Sequence, residues 1–384
     1  MKRVCIIRQK PYPNKNQRRN AETLVRAGYE VDILCLKADG EKKRDTLNGV
    51  NIHRLPLGER RGGTFRYFFQ YAAFFTLAFF KLTQLSLKKR YDVVEVDTMP
   101  DFLVFVTFLY KLFGGKVVLY MYENTPSLFM SGFGLSPNHI AYRLLRLIEK
   151  ASAGFAHRVV VSDGPPYKKV LENHGIPSEK ITVVLNVPDE AIFNQETVPV
   201  TEDGDYFRLV VVTTLVKRYG VQILVKAVPL LVKDIPNLKI DVVGEGEFRP
   251  VLEEMARDLG VERYLNFTGF VPLDNVPAHI ARAHIGVAPM IDDVGAPNKL
   301  FEYFSLGKVS VASALPGLTA VFNDGGLLYF PPGNEKELAA RILELYRDPQ
   351  KRISMGAAAL NFYRQYRWPV LKQKYLKVYE EVMA

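Results

Sequence analysis

Cysteine is scarce in this chain of 384 residues: only Cys5 and Cys35 occur. Neither has a CxxC or Cys/His companion, which argues against a disulfide-stapled secreted fold and against a structural zinc site. The six histidines, His53, His139, His157, His174, His279 and His284, show no ligand spacing, so no metal and no cofactor is expected. Long apolar runs are missing too. The best is YAAFFTLAFF, residues 71–80, ten uncharged residues where about 20 are needed to span a bilayer. The apolar run at residues 4–7 is too short for a signal peptide and meets Arg8, and the chain is read as cytoplasmic. Acidic residues are thin at the front: the first 90 residues hold 20 Lys+Arg against 7 Asp+Glu.

What is present is a large apolar fraction, 48%, which can build full cores and excludes disorder as the general state. The length suggests two domains. The formal charge of +10 is carried by the front half, since residues 1–190 hold 29 basic and 18 acidic residues while residues 191–384 hold 22 and 23. Such a concentration points to an anionic partner: nucleic acid, a membrane surface or a phosphorylated substrate. No RRM, KH or helix-turn-helix signature accompanies it, so no nucleic acid partner is expected.

The front half alternates strand and helix. Strands are expected at residues 4–8, 31–36, 50–55, 92–97, 116–123, 158–162 and 181–187, with helices at 18–27, 64–87, 101–113, 138–153 and 167–174. Continuously apolar strands such as Val117-Val118-Leu119 suit a parallel sheet buried on both faces. Residues 191–206, proline-containing and acidic, read as a linker between a domain at 1–190 and another at 207–368. The back half restarts the alternation, with strands at 207–213, 239–243, 265–270, 285–289, 309–313 and 327–330 and helices at 221–232, 248–259, 276–283, 298–305 and 336–346. A final helix at 370–383, within a tail at 369–384, is expected to pack back on the first domain. The fold class is therefore α/β, with two Rossmann-like doubly wound parallel sheets facing a cleft. Ligands bind such sheets outside the carboxyl ends of the strands.

The strongest local motif is Pro297-Asn298-Lys299-Leu300-Phe301-Glu302. Pro297 suits the first turn of a helix whose N–H groups and dipole would hold a phosphate. Lys299 adds charge, and Glu302, one turn in, would accept hydrogen bonds from sugar hydroxyls. An ordinary amphipathic helix with solvated Lys and Glu is the competing reading.

This stretch resembles the donor-binding helix of the family 4 glycosyltransferases, retaining enzymes of the GT-B fold. The resemblance extends along nearly the whole chain through Tyr91-Asp92-Val93-Val94, Met99-Pro100-Asp101-Phe102, Lys180-Ile181-Thr182-Val183, Val243-Gly244-Glu245-Gly246 and Phe267-Thr268-Gly269-Phe270. It is nearest to a branch that assembles polysaccharides and glycolipids. It implies that Glu302 binds the nucleotide ribose, that Asn298, Lys299 and Leu300 form the turn at the donor diphosphate, and that Gly244 and Glu245 line the donor side. The first Glu of the family's Glu-x7-Glu pair falls on Val294, with Asp292 or Asp293 as substitutes through a loop shift. Thr214 and Tyr219 stand where the family has an Arg and a Lys, leaving Arg218 and then Lys217 as the diphosphate cations. Tyr122 takes a His position and Glu123 matches an acidic one, which makes the pair the catalytic candidates.

On the front side, Arg18 and Arg19 are acceptor-side candidates, beside Asn14, Lys15 and Asn16. The Phe-rich helix at 64–87, flanked by Arg60, Arg61 and Lys88-Lys89-Arg90, suits a contact with an anionic membrane surface. The resemblance implies a metal-independent enzyme that moves a sugar from a nucleotide-diphosphate sugar to a glycan or lipid-phosphate acceptor. The alternative is a catalytically weakened nucleotide-sugar-binding subunit.

Overall fold

The computed structural model describes the chain apart from residues 14, 59–63, 134–137, 199–203, 294 and 324 and the side chains of 15, 64–68 and 131–133. Asn14, Arg60, Arg61, Val294 and the side chains of Lys15, Phe65 and Phe68 thus lie outside the described residues. Two compact units result: Met1–Asn186 with Pro369–Ala384, and Val187–Trp368.

The first unit is built on eight strands: β1 (Arg3–Pro11), β2 (Glu30–Leu36), β3 (Arg44–Leu47), β4 (Val50–Leu55), β5 (Val93–Asp97), β6 (Lys116–Met121), β7 (Arg158–Val161) and β8 (Ile181–Val183). Their order in the sheet is β3-β4-β2-β1-β5-β6-β7-β8. All neighbours are parallel except β3, an exposed strand that runs antiparallel to β4 at the edge. The central strands are largely buried because helices cover both faces; every residue of β5 is buried, including Glu95 and Asp97. The helix Thr64–Lys88 lays Phe74, Ala78 and Leu82 into the core at i, i+4, i+8 and leaves Phe69, Phe80 and Leu87 exposed.

Residues 101–113 do not form the single α-helix expected. A 3-10 stretch, Asp101–Thr107, precedes a short α-helix, Phe108–Leu112. The Thr107 hydroxyl bonds back to the Val104 carbonyl at 2.7 Å, which favours the tighter turn. The helix expected at 138–153 runs Ile140–Phe155, with the His139 side chain accepting the Ala141 N–H as its cap. A further helix, Thr125–Phe133, follows β6 directly. The strand at 181–187 ends at Val183.

The closing helix, Trp368–Met383, contributes to the first unit. Tyr375 and Tyr379 donate to the buried Glu95 carboxylate at 3.1 and 2.7 Å. These residues lie some 280 positions apart in sequence. A buried carboxyl without partners is costly, so the two hydroxyls anchor the helix at one defined height on β5.

The second unit holds six parallel strands: β9 (Phe207–Val212), β10 (Leu238–Val243), β11 (Leu265–Gly269), β12 (Ile285–Ala288), β13 (Ser310–Ser313) and β14 (Leu327–Phe330), in the order β11-β10-β9-β12-β13-β14. The order reverses at β9, between β10 and β12, which makes the carboxyl ends of these strands a topological switch point. The described part of residues 191–206 is not a free linker: Phe193 is buried, and the neighbouring Glu190 pairs with Arg367 at 2.7 Å. The helix Pro349–Arg364 has no counterpart in the sequence reading. Its start is marked by Asp348, whose carboxylate accepts the Lys351 N–H at 2.8 Å, followed by Pro349 in the first turn.

Candidate functional site

In the second unit the carboxyl ends of β9, β10 and β12 converge with the helix Asn298–Ser305. Backbone approaches there are very close. Gly220 has φ 74°, and a Cβ on it would meet the Pro289 carbonyl oxygen at 1.7 Å; on Gly244 it would meet the Thr213 carbonyl oxygen at 1.9 Å. Only glycine allows the loops after β9, β10 and β12 to pack main chain on main chain. The carbonyl of Arg218 accepts the Ile291 N–H at 3.0 Å, which ties the turn Lys217–Tyr219 to the loop after β12.

The helix Asn298–Ser305 aims its first turn at this junction. Lys299 is buried, donates to Thr213 Oγ1 at 2.8 Å and lies 4.6 Å from the centre of the Tyr219 ring. Burial pulls its pKa down to about 7, against a smaller opposing pull from Glu302. Glu302 is also buried, one turn along. Leu300 is fully buried and packs the helix in place, and Asn298 is partly exposed at its start. The Arg218 guanidinium sits 5.1 Å from the centre of the same Tyr219 ring. The Tyr219 ring thus gathers two cations. Thr214 and Lys217 are exposed, and the Lys217 carbonyl accepts from Gln222 Nε2.

The remaining donor-side candidates divide. Gly244 lies at the junction, bonded through its N–H to the Gly269 carbonyl at 3.1 Å. Glu245 points to the surface, where Arg249 holds it at 2.8 Å and depresses its pKa. Asp293 accepts the Gly317 N–H through both carboxylate oxygens, at 3.1 and 3.0 Å, so it is engaged with the start of the short helix Pro316–Thr319. Tyr303 was not anticipated. Its hydroxyl accepts the Val212 N–H at 2.9 Å and its ring fills the space left by Gly286, which fixes the helix to the last residue of β9. The period of the helix placed Tyr303 inward, but nothing local named its partner.

In the first unit, Tyr122 and Glu123 follow β6. Tyr122 is buried, stacked on Tyr120 at 4.5 Å, with the Arg8 guanidinium 4.1 Å from its ring centre. Its hydroxyl donates to Asp97 at 3.3 Å. Burial raises Asp97 to about 6, with Arg8 opposing. Glu123 is exposed at the carboxyl end of the sheet. Next to it Thr125 donates to Asp101 at 2.9 Å; burial lifts this carboxyl to about 7. Arg18 and Arg19 lie on the helix Lys15–Arg26. Arg18 is engaged by Glu22 at 2.8 Å, an i,i+4 pair, and Arg19 donates to Asn20 at 3.4 Å. The structure therefore brings Lys299, Glu302, Asn298, Leu300, Arg218 and Gly244 to one strand-end junction, and turns Glu245 and Arg18 toward surface ion pairs.

Two parallel-sheet α/β units of this topology define the GT-B architecture. Solved structures share it over essentially the full chain. Sucrose-phosphate synthase from Thermosynechococcus elongatus superposes with a TM-score of 0.80 at 17% identity, covering 100% of this chain and 99% of that one. Anabaena HepE in complex with UDP-glucose gives 0.72 at 16%, covering 100% and 99%. In sequence, the family profile described as Glycosyl transferase 4-like domain matches residues 13–186, and that of Glycosyl transferases group 1 matches residues 206–348. The chain belongs to the family 4 glycosyltransferases.

Among its relatives, a GDP-mannose-dependent alpha-(1-6)-phosphatidylinositol monomannoside mannosyltransferase of Mycolicibacterium smegmatis is 29% identical over 40% of this chain and 42% of its own length. An uncharacterised glycosyltransferase of Methanocaldococcus jannaschii is 22% identical over 94% and 92%. The match spans less than half the length of the mycobacterial relatives.

Proposed function

We propose that the chain is a retaining glycosyltransferase that uses a nucleoside diphosphate sugar as donor and a hydroxyl of a lipid-linked or glycan acceptor. The observation that carries this reading is the buried, partly discharged Lys299 beside Thr213 and Tyr219, with Glu302 one turn along the same helix, at the switch point of the second sheet. A diphosphate arriving at the first turn of Asn298–Ser305 meets N–H groups, the helix dipole and a lysine that becomes fully charged as the anion arrives. Glu302 accepts from the ribose hydroxyls.

The sugar–phosphate bond breaks and the nucleoside diphosphate leaves with the bonding electrons. Lys299, Arg218 and the helix terminus stabilise the charge that develops on it. The acceptor oxygen forms the new bond to the anomeric carbon, and its proton passes to an oxygen of the departing phosphate, so no protein base is required. Glu123, exposed at the end of β6, contacts the substrate in this reading. Tyr122 holds that strand end in place through Asp97 and Arg8.

The acceptor is read as a phosphoinositol-type lipid, the class named for the mycobacterial mannosyltransferases. The basic front half and the exposed Phe69, Phe80 and Leu87 suit an anionic membrane surface. No described helix is long and apolar enough to cross a membrane. The test is incubation with GDP-mannose or UDP-glucose and phosphatidylinositol vesicles, reading nucleoside diphosphate release and the anomeric configuration of the product by NMR. Release with retention supports the proposal. Binding of donor without release with any lipid or glycan acceptor would establish the binding-subunit alternative.

A further inference from the structure

The second unit carries a cavity that the proposed donor site leaves unused. Its volume is about 590 Å³, and it opens at the amino-terminal ends of β9, β12 and β13, where Phe207, His284 and Val309 line it. This is the edge of the sheet opposite Thr213, Gly244 and Lys299.

The lining is strongly cationic. Arg208, Arg282, Lys308 and Arg352 face it; among the described residues, Asp205 is the carboxylate in the wall. A second carboxylate, Asp241, holds Arg282 from behind at 2.8 Å. Lys308 is partly buried and spends one N–H on the Ala281 carbonyl at 2.5 Å; an ammonium has two more to offer. Arg352 spends one N–H on the Leu345 carbonyl at 2.7 Å and lies 5.3 Å from the Phe207 ring centre. Burial lowers the pKa of both, with the Asp348 carboxylate opposing it at Arg352. Desolvated cations in excess over nearby carboxylates are costly, and an anion relieves that cost. The walls between the charges are aromatic: Phe207 stacks on the His284 ring at 4.8 Å and meets Tyr346 edge-on at 4.9 Å.

His284 records the field of this site. Its Nδ1 accepts the backbone N–H of Arg208 at 3.0 Å. Burial, then repulsion by Arg352, Lys308 and Arg208, push its pKa down to about 4.

We propose that this cavity is a second ligand site, which binds a small phosphorylated metabolite gripped through its phosphate by Lys308 and Arg352. The helix Asn298–Ser305 gives the site a direct mechanical link to the donor end. It starts at Asn298, carries Lys299 and Glu302, and runs, over about 12 Å, into Leu306, Gly307 and Lys308. A phosphate held by Lys308 therefore acts on the far end of the helix that carries the donor residues.

The test reads His284 in the full-length protein by NMR of the imidazole Cε1–H, assigned through loss of the signal in His284→Asn. Inorganic phosphate and glucose 6-phosphate are titrated separately, with ionic strength held constant by chloride. Bound anion screens the three cations, so the His284 pKa rises from about 4, while burial, its largest depressing cause, keeps it below the ordinary histidine value. A larger response to glucose 6-phosphate than to phosphate shows that the aromatic walls contribute. Arg352→Gln removes the response, Arg352→Lys restores part of it, and Lys336→Gln, exposed at the far end of the helix that carries Tyr346, leaves it intact. No shift with either anion overturns the proposal, as does the same shift with chloride alone, a response that survives Arg352→Gln, or one that disappears in Lys336→Gln. Because the readout is local and needs no turnover, it stands apart from the outcome of the transfer assay.

Discussion

Replacing Lys299 by Met tests the candidate donor site through its protons. Lys299 is buried, and its pKa falls from the usual 10.5 to about 7 because burial penalises the charged form. In the unfolded chain the same lysine stays protonated until about pH 10.4. Between these values the unfolded state binds more protons, so stability rises with pH. At 1.36 kcal/mol per unit, integration from pH 7 to 9 assigns Lys299 a gain of about 2 kcal/mol.

Urea unfolding of wild type and Lys299→Met at pH 7, 8 and 9 isolates that contribution as a difference of differences, since every other group is common to both. The wild type should gain about 2 kcal/mol more than the variant across this range. Ligand binding should show the mirror image. A diphosphate that returns Lys299 to full charge takes up about half a proton at pH 7 and about 0.9 at pH 8. Calorimetry in buffers of different ionisation enthalpy measures this uptake, and donor affinity should fall up to tenfold per pH unit above 8. Parallel stability profiles for the two proteins, with no proton uptake on donor binding, would refute the reasoning.

Other consequences are equally direct. Tyr379→Phe leaves one Glu95 oxygen short of its 2.7 Å partner and should cost about 1–3 kcal/mol by chemical denaturation. Glu95 has its pKa raised by burial and by Asp97; a raised carboxyl contributes stability below the unfolded value that is lost as pH rises through the folded one, so Glu95→Gln should flatten the decline in unfolding midpoint that sets in as pH rises above about 4.3. Gly220→Ala drives a Cβ to 1.7 Å from the Pro289 carbonyl at φ 74°, and should cost roughly 2–4 kcal/mol and weaken donor binding. The triple change of Phe69, Phe80 and Leu87 to Ser removes mostly exposed apolar surface and one edge-on contact, Phe80 on Phe79, so it should abolish flotation with phosphatidylinositol vesicles at low salt while lowering the unfolding midpoint by a few degrees at most.

The alternation of strands and helices was legible because parallel strands buried on both faces must be apolar throughout, as at Val117-Val118-Leu119 and Val159-Val160-Val161. The donor helix was legible for a different reason: Pro297, Lys299 and Glu302 carry local chemistry at a helix start. Edge and surface elements were less so. β3 has no buried residue and so no pattern to read, and Pro349–Arg364 was announced only by the Asp348-Pro349 cap. Long-range polar pairings were not legible at all. Nothing near Glu95 indicates that Tyr375 and Tyr379 will satisfy it, and nothing near Tyr303 names the Val212 N–H. The pairing of Arg18 with Glu22 and of Glu245 with Arg249 could have been read from i,i+4 spacing, which places opposite charges side by side on a helix or its start.

The most direct measurement is the equilibrium binding of GDP-mannose and UDP-glucose to wild type, Glu302→Gln and Lys299→Met at pH 7. The account predicts that wild type binds at least one of them and that each variant binds it at least about tenfold more weakly, a loss of about 1.4 kcal/mol or more, while remaining folded. Wild-type affinity in both variants, or no binding of either nucleotide-sugar by the wild type, would contradict it.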